Sequence, residues 1–109
     1  MSKAAYWQRG ESLDYVNNTT AVIEANTIIP IEGRIGVAGT NINPGEKGSL
    51  HVTGVYEITK TGTAEIKMGA AVYFDGTGIT GEKNENTPAG YAAQDAAANA
   101  ETVYVKLMG

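Results

Sequence analysis

Apolar and polar residues alternate in period two along much of this chain, in short runs bounded by glycine, proline or asparagine. The clearest run is SLHVTGVYEIT, residues 49–59. There Val52, Gly54, Tyr56 and Ile58 share one face and His51, Thr53, Val55, Glu57 and Thr59 the other. The first face is the predicted core face. At the C-terminus TVYVKLM, residues 102–108, sets Val103, Val105 and Leu107 against Thr102, Tyr104 and Lys106, the pattern of a sheet wetted on one side. Six further strands are predicted near 12–17, 27–31, 34–38, 70–74, 78–81 and 89–95. Pro30 cannot donate to a ladder, which assigns TIIPI to an edge or a bulge.

Composition supports strands over helices. Isoleucine and valine number seventeen against three leucines, and twelve threonines join them, so the bulky side chains are mostly β-branched. Helix propensity competes in one place, the alanine-rich stretch 92–100, which lacks large apolar residues at helical spacing. A strand ending near Asp95 followed by a small-residue loop is expected there, with a helical turn as the alternative. The fold class is therefore all-β: a small β-barrel or sandwich of about eight short strands with an Ala-rich loop near the C-terminus. At 109 residues the chain has the size of one domain, read as residues 11–109 behind an N-terminal arm at 1–10.

Two glycine-rich stretches resemble phosphate sites, and neither has the required context. Asn43–Ser49 reads NPGEKGS, but the order is not that of a phosphate loop and a strand follows instead of a helix. A Pro-Gly turn is expected, with Pro44 second and Gly45 third. Gly76–Gly81 matches GxGxxG and precedes Asp95 by nineteen residues, yet the chain continues EKNENTPAG, rich in breakers. A hairpin turn at Asp75-Gly76 and a short strand are expected there. His51 is the only histidine and cysteine is absent, so a triad or metal site would have to run through His51 and carboxylates alone. Asp75, Glu82 and Glu85 match no dedicated calcium loop. Catalytic, cofactor and metal residues are accordingly expected to be none.

Eight basic against twelve acidic residues give a net charge of −4, and the cations are scattered. That balance disfavours nucleic acid and anionic membrane as partners. No apolar run matches a signal peptide or a transmembrane helix, so a soluble protein is expected. The arm holds the only tryptophan, beside Tyr6 and between Lys3 and Arg9. Tyr6, Trp7 and Arg9 are the candidate partner contacts, because these residue types dominate binding energy at interfaces. The same aromatic pair would also serve to plug the fold, and the residues leave both readings open.

YWQRGESLDY at the front, GEKGSLHVTGVYEITKTGTAEIKMGAAVYFD in the middle and PAGYAAQDAAANAETVYVKLMG at the end together resemble the capsid cement, or head decoration, proteins of tailed phages and prophages. The order of these weak motifs over nearly the whole chain carries the resemblance. One departure is at Glu24–Thr27, which reads EANT where a Gly-Asp turn is the family pattern. Members are sometimes labelled RecA/RadA-type recombinases, but this chain has no phosphate loop to support that chemistry. The resemblance implies a compact β-barrel-like structural protein, not an enzyme, that binds the outer surface of an assembled capsid and stabilises the head. It implies as partners the major capsid protein and further copies of the chain, a trimer being favoured, with no small-molecule ligand. The implied location is the virion capsid surface, after assembly in the bacterial host cytoplasm. The alternative is a small nucleic-acid-binding or recombination-associated barrel, which should interleave aromatics with Lys or Arg on one strand face. Tyr56, Tyr73 and Phe74 instead neighbour Glu57 and Asp75.

Overall fold

The computed structural model describes residues 2–6, 8 and 10–108, and within them the fold is all-β, without helices. Nine strands form two antiparallel sheets: β1 (Ser12–Val16), β2 (Ile28–Ile31), β3 (Arg34–Ala38) and β4 (Lys47–His51), then β5 (Val55–Thr59), β6 (Ala71–Phe74), β7 (Ile79–Thr80), β8 (Thr87–Ala92) and β9 (Thr102–Leu107). The sheets do not close into a barrel, so of the two expected architectures the sandwich is the one that fits. Pro30 lies on β2, an edge of the first sheet, as its missing donor requires.

One expected strand is divided. The alternation over residues 49–59 predicts a single strand, but the chain leaves the first sheet after His51, passes Gly54 at φ +111°, and enters the second sheet at Val55. The alternation survives the break, because Val52 and Ile58 are both buried. They are buried in different clusters, Val52 with Ile29, Ala38 and Leu50, and Ile58 with the larger core of the second sheet. The strand expected at 89–95 is also displaced. It begins at Thr87 and stops at Ala92, after which Ala96 forms a lone antiparallel bridge with Ile66.

The two sheets repeat one plan. The strand orders β1-β4-β3-β2 and β5-β9-β8-β6 correspond strand for strand, with β7 added at the end of the second. In each unit two loop segments meet through one bridge, Ile23 with Ile42 and Ile66 with Ala96. Each of these four residues is followed by a tight turn closed by an N–H to C=O bond, at Glu24–Thr27, Asn43–Glu46, Lys67–Ala70 and Ala97–Ala100. Asn26, Gly45 and Gly69 take the left-handed third position in three of them, which explains both the Pro-Gly turn and why EANT can replace a glycine turn. Even the side-chain caps correspond: Asn41 Oδ1 accepts the Ala25 N–H and Asp95 Oδ1 the Met68 N–H, each at 2.8 Å.

Packing departs from this symmetry. The larger cluster lies on the inner face of the second sheet, with Val72, Val103, Val105 and Leu107 almost fully buried, and it also takes in Ile35 and Val37 from β3 and Ile28 from β2. The first sheet thus spends one face on its own small cluster and the other on the second unit. The free edges are guarded. Asp14 and Glu57 hold the same central position of β1 and β5, and charge there opposes addition of a further strand.

Candidate partner-binding surfaces

The two glycine-rich stretches are turns. Glu46 N–H donates to Asn43 C=O at 3.0 Å with Gly45 at φ +80°, and Lys47 points to Asp14 at 3.7 Å on the surface. The GxGxxG stretch forms the β6–β7 hairpin, in which Asp75 N–H donates to Gly78 C=O and Gly76 has φ +96°.

Asp75 has a lowered pKa. The Thr61 hydroxyl donates to Oδ2 at 2.6 Å, and the Thr77 and Gly78 N–H groups donate to Oδ1 at 2.9 Å, holding the carboxyl below its usual value. The two backbone bonds are local to the hairpin, and the Thr61 bond fastens the hairpin to the segment that follows β5. A concavity of about 640 Å³ opens beside it, lined among others by Thr61, Lys67, Asp75, Glu82 and Asn86. Glu82 accepts from the Asn84 side chain, and among the described residues no three His, Asp or Glu groups converge as metal ligands. His51 is half-buried, with its ring against Gly39.

Of the three arm candidates, the structure places Tyr6, which is 84% exposed; Trp7 and Arg9 lie outside the described residues. The other described arm residues are exposed as well and form no strand, so the chain enters β1 from an open segment.

A second surface escaped the sequence reading. Across the outer face of the second sheet, register aligns Ala71, Tyr91, Lys106 and Val55 on four successive strands, with Tyr104 and Glu57 in the next row. Val55 is 54% exposed, Tyr91 37% and Tyr104 39%. The alternation of TVYVKLM marks Tyr104 and Lys106 as outward, but nothing local places Tyr91 and Val55 beside them. Tyr56, Tyr73 and Phe74, the aromatics considered earlier, are half-buried or buried. The face does set a cation between two tyrosines, but with a single lysine and an acid beside it, short of the basic track that a nucleic-acid backbone demands. Among the described residues no helix is long and apolar enough to cross a membrane.

These features describe a stable β scaffold with an open aromatic arm and one apolar-aromatic face. A family model described as phage cement protein matches residues 7–107. No curated protein and no solved structure matches the chain. With the match spanning both units and the whole of the sheet framework, the chain belongs to the phage cement protein family.

Proposed function

We propose that this phage structural protein binds the outer surface of an assembled capsid and stabilises the head, acting as a passive fastener and not as an enzyme. The cement-family match over residues 7–107 carries the reading. The open arm supports it. Residues 1–10 form the attachment segment, with Tyr6, Trp7 and Arg9 as contacts to the major capsid protein, while residues 11–109 fold as the body that spans between capsid subunits. A body this small offers a modest contact. Several copies joined as a homo-oligomer would multiply affinity through effective concentration. The protein would reach the capsid in the host cytoplasm during assembly and need no cofactor.

Co-sedimentation with the cognate empty capsid tests the proposal. Deleting residues 1–9 should weaken decoration strongly while leaving the melting temperature of the free protein nearly unchanged, because the described arm residues are exposed. A truncated protein that decorates at full affinity, or one that melts early, would remove the arm from this role.

A further inference from the structure

The two units place equivalent residues in unequal surroundings. Ile28 pairs with Val37 on the first sheet as Ala71 pairs with Tyr91 on the second. Ile28 and Val37 are covered because that face of the first sheet packs on the second unit. The corresponding face of the second sheet, with Tyr91, Tyr104 and Val55, has no layer over it among the described residues. Within this chain, then, a face of this type already serves as a sheet-docking surface, and one copy of it is unused.

Its chemistry is self-complementary. Glu57 and Lys106 sit diagonally on adjacent strands, flanking Tyr104. The Glu57 carboxylate accepts only the Thr102 hydroxyl, and the Lys106 ammonium donates to the Leu107 carbonyl, so neither charge has an ionic partner among the described residues. A two-fold axis lying in the face would bring each Lys106 opposite the other copy's Glu57 and close the tyrosines and Val55 between them. Aromatics surrounded by small residues and rimmed by one charge of each sign are suited to a flat, desolvated contact. The edge of the same sheet is a poorer choice. Antiparallel pairing of two β5 strands about their centre would set Glu57 against Glu57.

We infer that the outer face of the second sheet, centred on Tyr91 and Tyr104, is the self-association surface of this protein and binds the same face of a second copy. This deepens the homo-oligomer in the proposed function by naming its surface and its symmetry, and it replaces the trimer favoured by resemblance with a two-fold pair. It is read out on free protein, so its failure leaves capsid binding by the arm intact.

The test is sedimentation velocity of the full chain without capsid, across a range of concentrations. Wild type should approach the mass of two chains, and Tyr91→Arg combined with Tyr104→Arg should stay at the mass of one while keeping the wild-type circular dichroism. Charge reversal supplies a control that is independent of packing. Glu57→Lys alone and Lys106→Glu alone should each weaken pairing about tenfold or more, and mixing the two variants should restore it, because each new charge then faces its opposite. Wild type that remains a monomer or sediments as a trimer would overturn the inference. So would a mixture of the two reversals that fails to associate. A monomer whose tyrosine variants lose capsid binding would overturn it too, assigning the face to the capsid protein.

Discussion

The unit that ends at Val52 and the unit that begins at Gly54 share strand order, bridges and turns, and they differ in what their equivalent positions must tolerate. Asn17 and Lys60 show this best. Each follows the first strand of its unit, donates its N–H to a glutamate carbonyl (Glu46 and Glu101 respectively), and sends its side chain inward to two loop carbonyls. Asn17 Nδ2 donates to Ala21 and Ile42, both at 2.8 Å; Lys60 Nζ donates to Gly62 at 2.6 Å and Ala98 at 3.0 Å. One structural task, tying the bridge loops to the sheet, is performed by a neutral amide in one unit and an ammonium in the other. The shared backbone demands buried donors at that point but leaves the residue type open.

The comparison is sharpest at a second pair of positions. Gly36 on β3 and Gly90 on β8 occupy the same place, opposite Ile29 and Val72. A Cβ at Gly90 would collide with the Lys106 carbonyl oxygen, at a residue whose φ is +140°. The nearest atoms to a Cβ at Gly36 belong to the Leu50 side chain, with Cγ at 2.6 Å. Backbone cannot yield without parting β8 from β9, whereas a leucine can change rotamer. Gly90→Ala should therefore cost about 4 kcal/mol or more and Gly36→Ala about 1–3 kcal/mol, measured by denaturant unfolding. Equal losses would show that the two positions are constrained alike and that the equivalence is closer than the contacts indicate.

The buried donors come next in size. Asn17→Ala removes four side-chain bonds from a fully buried site, two donated to the Ala21 and Ile42 carbonyls and two accepted from Thr19, and should cost about 2–3 kcal/mol. Lys60→Met removes the Nζ bonds to the Gly62 and Ala98 carbonyls but relieves the burial of an ammonium, and should cost about 1 kcal/mol or less. A lysine variant as damaging as the asparagine variant would mean that the charge itself holds the second unit together.

The smallest effect belongs to the segment that breaks the symmetry. The first unit joins β2 to β3 through Glu32 and Gly33 alone, whereas the second inserts the Asp75 hairpin and β7 between β6 and β8. Asp75 has a lowered folded-state pKa, so its stabilisation is present above the carboxylate range and is lost as pH falls through the folded value. Asp75→Asn should lower stability at neutral pH by less than about 1 kcal/mol, since the group is exposed, and the gap to wild type should narrow below about pH 4. A gap constant with pH would assign the effect to lost turn geometry in place of charge.

Much of this architecture was legible in the chain, and the unread part has identifiable causes. The strand at 34–38 and the two glycine turns followed from turn chemistry and alternation, which are local. The repeat left only faint marks: Thr20-Ala21-x-Ile23 beside Thr63-Ala64-x-Ile66, and Gly36-x-Ala38 beside Gly90-x-Ala92. An unequal hairpin and short matches hide it, because a bridge, a turn and a cap tolerate many side chains. Of the candidate surfaces, the arm was visible as an aromatic and cationic segment without strand pattern. The tyrosine face was not, since Tyr91 and Tyr104 are separated in sequence and meet only through the β8–β9 register.

By itself, the sequence determined the all-β class, the two glycine turns and the inward and outward faces of the runs 49–59 and 102–108, because φ preference, β-branching and period two act within a few residues. It could not determine that the run 49–59 serves two sheets, since alternation is indifferent to the sheet in which a strand lies. Nor could it distinguish Val37 from Tyr91, which hold equivalent places on equivalent strands. Val37 is buried and Tyr91 exposed because one face has a second sheet stacked on it and the other does not. That choice was made by tertiary packing, in which the area removed from water depends on what lies above a residue and not on its neighbours in the chain.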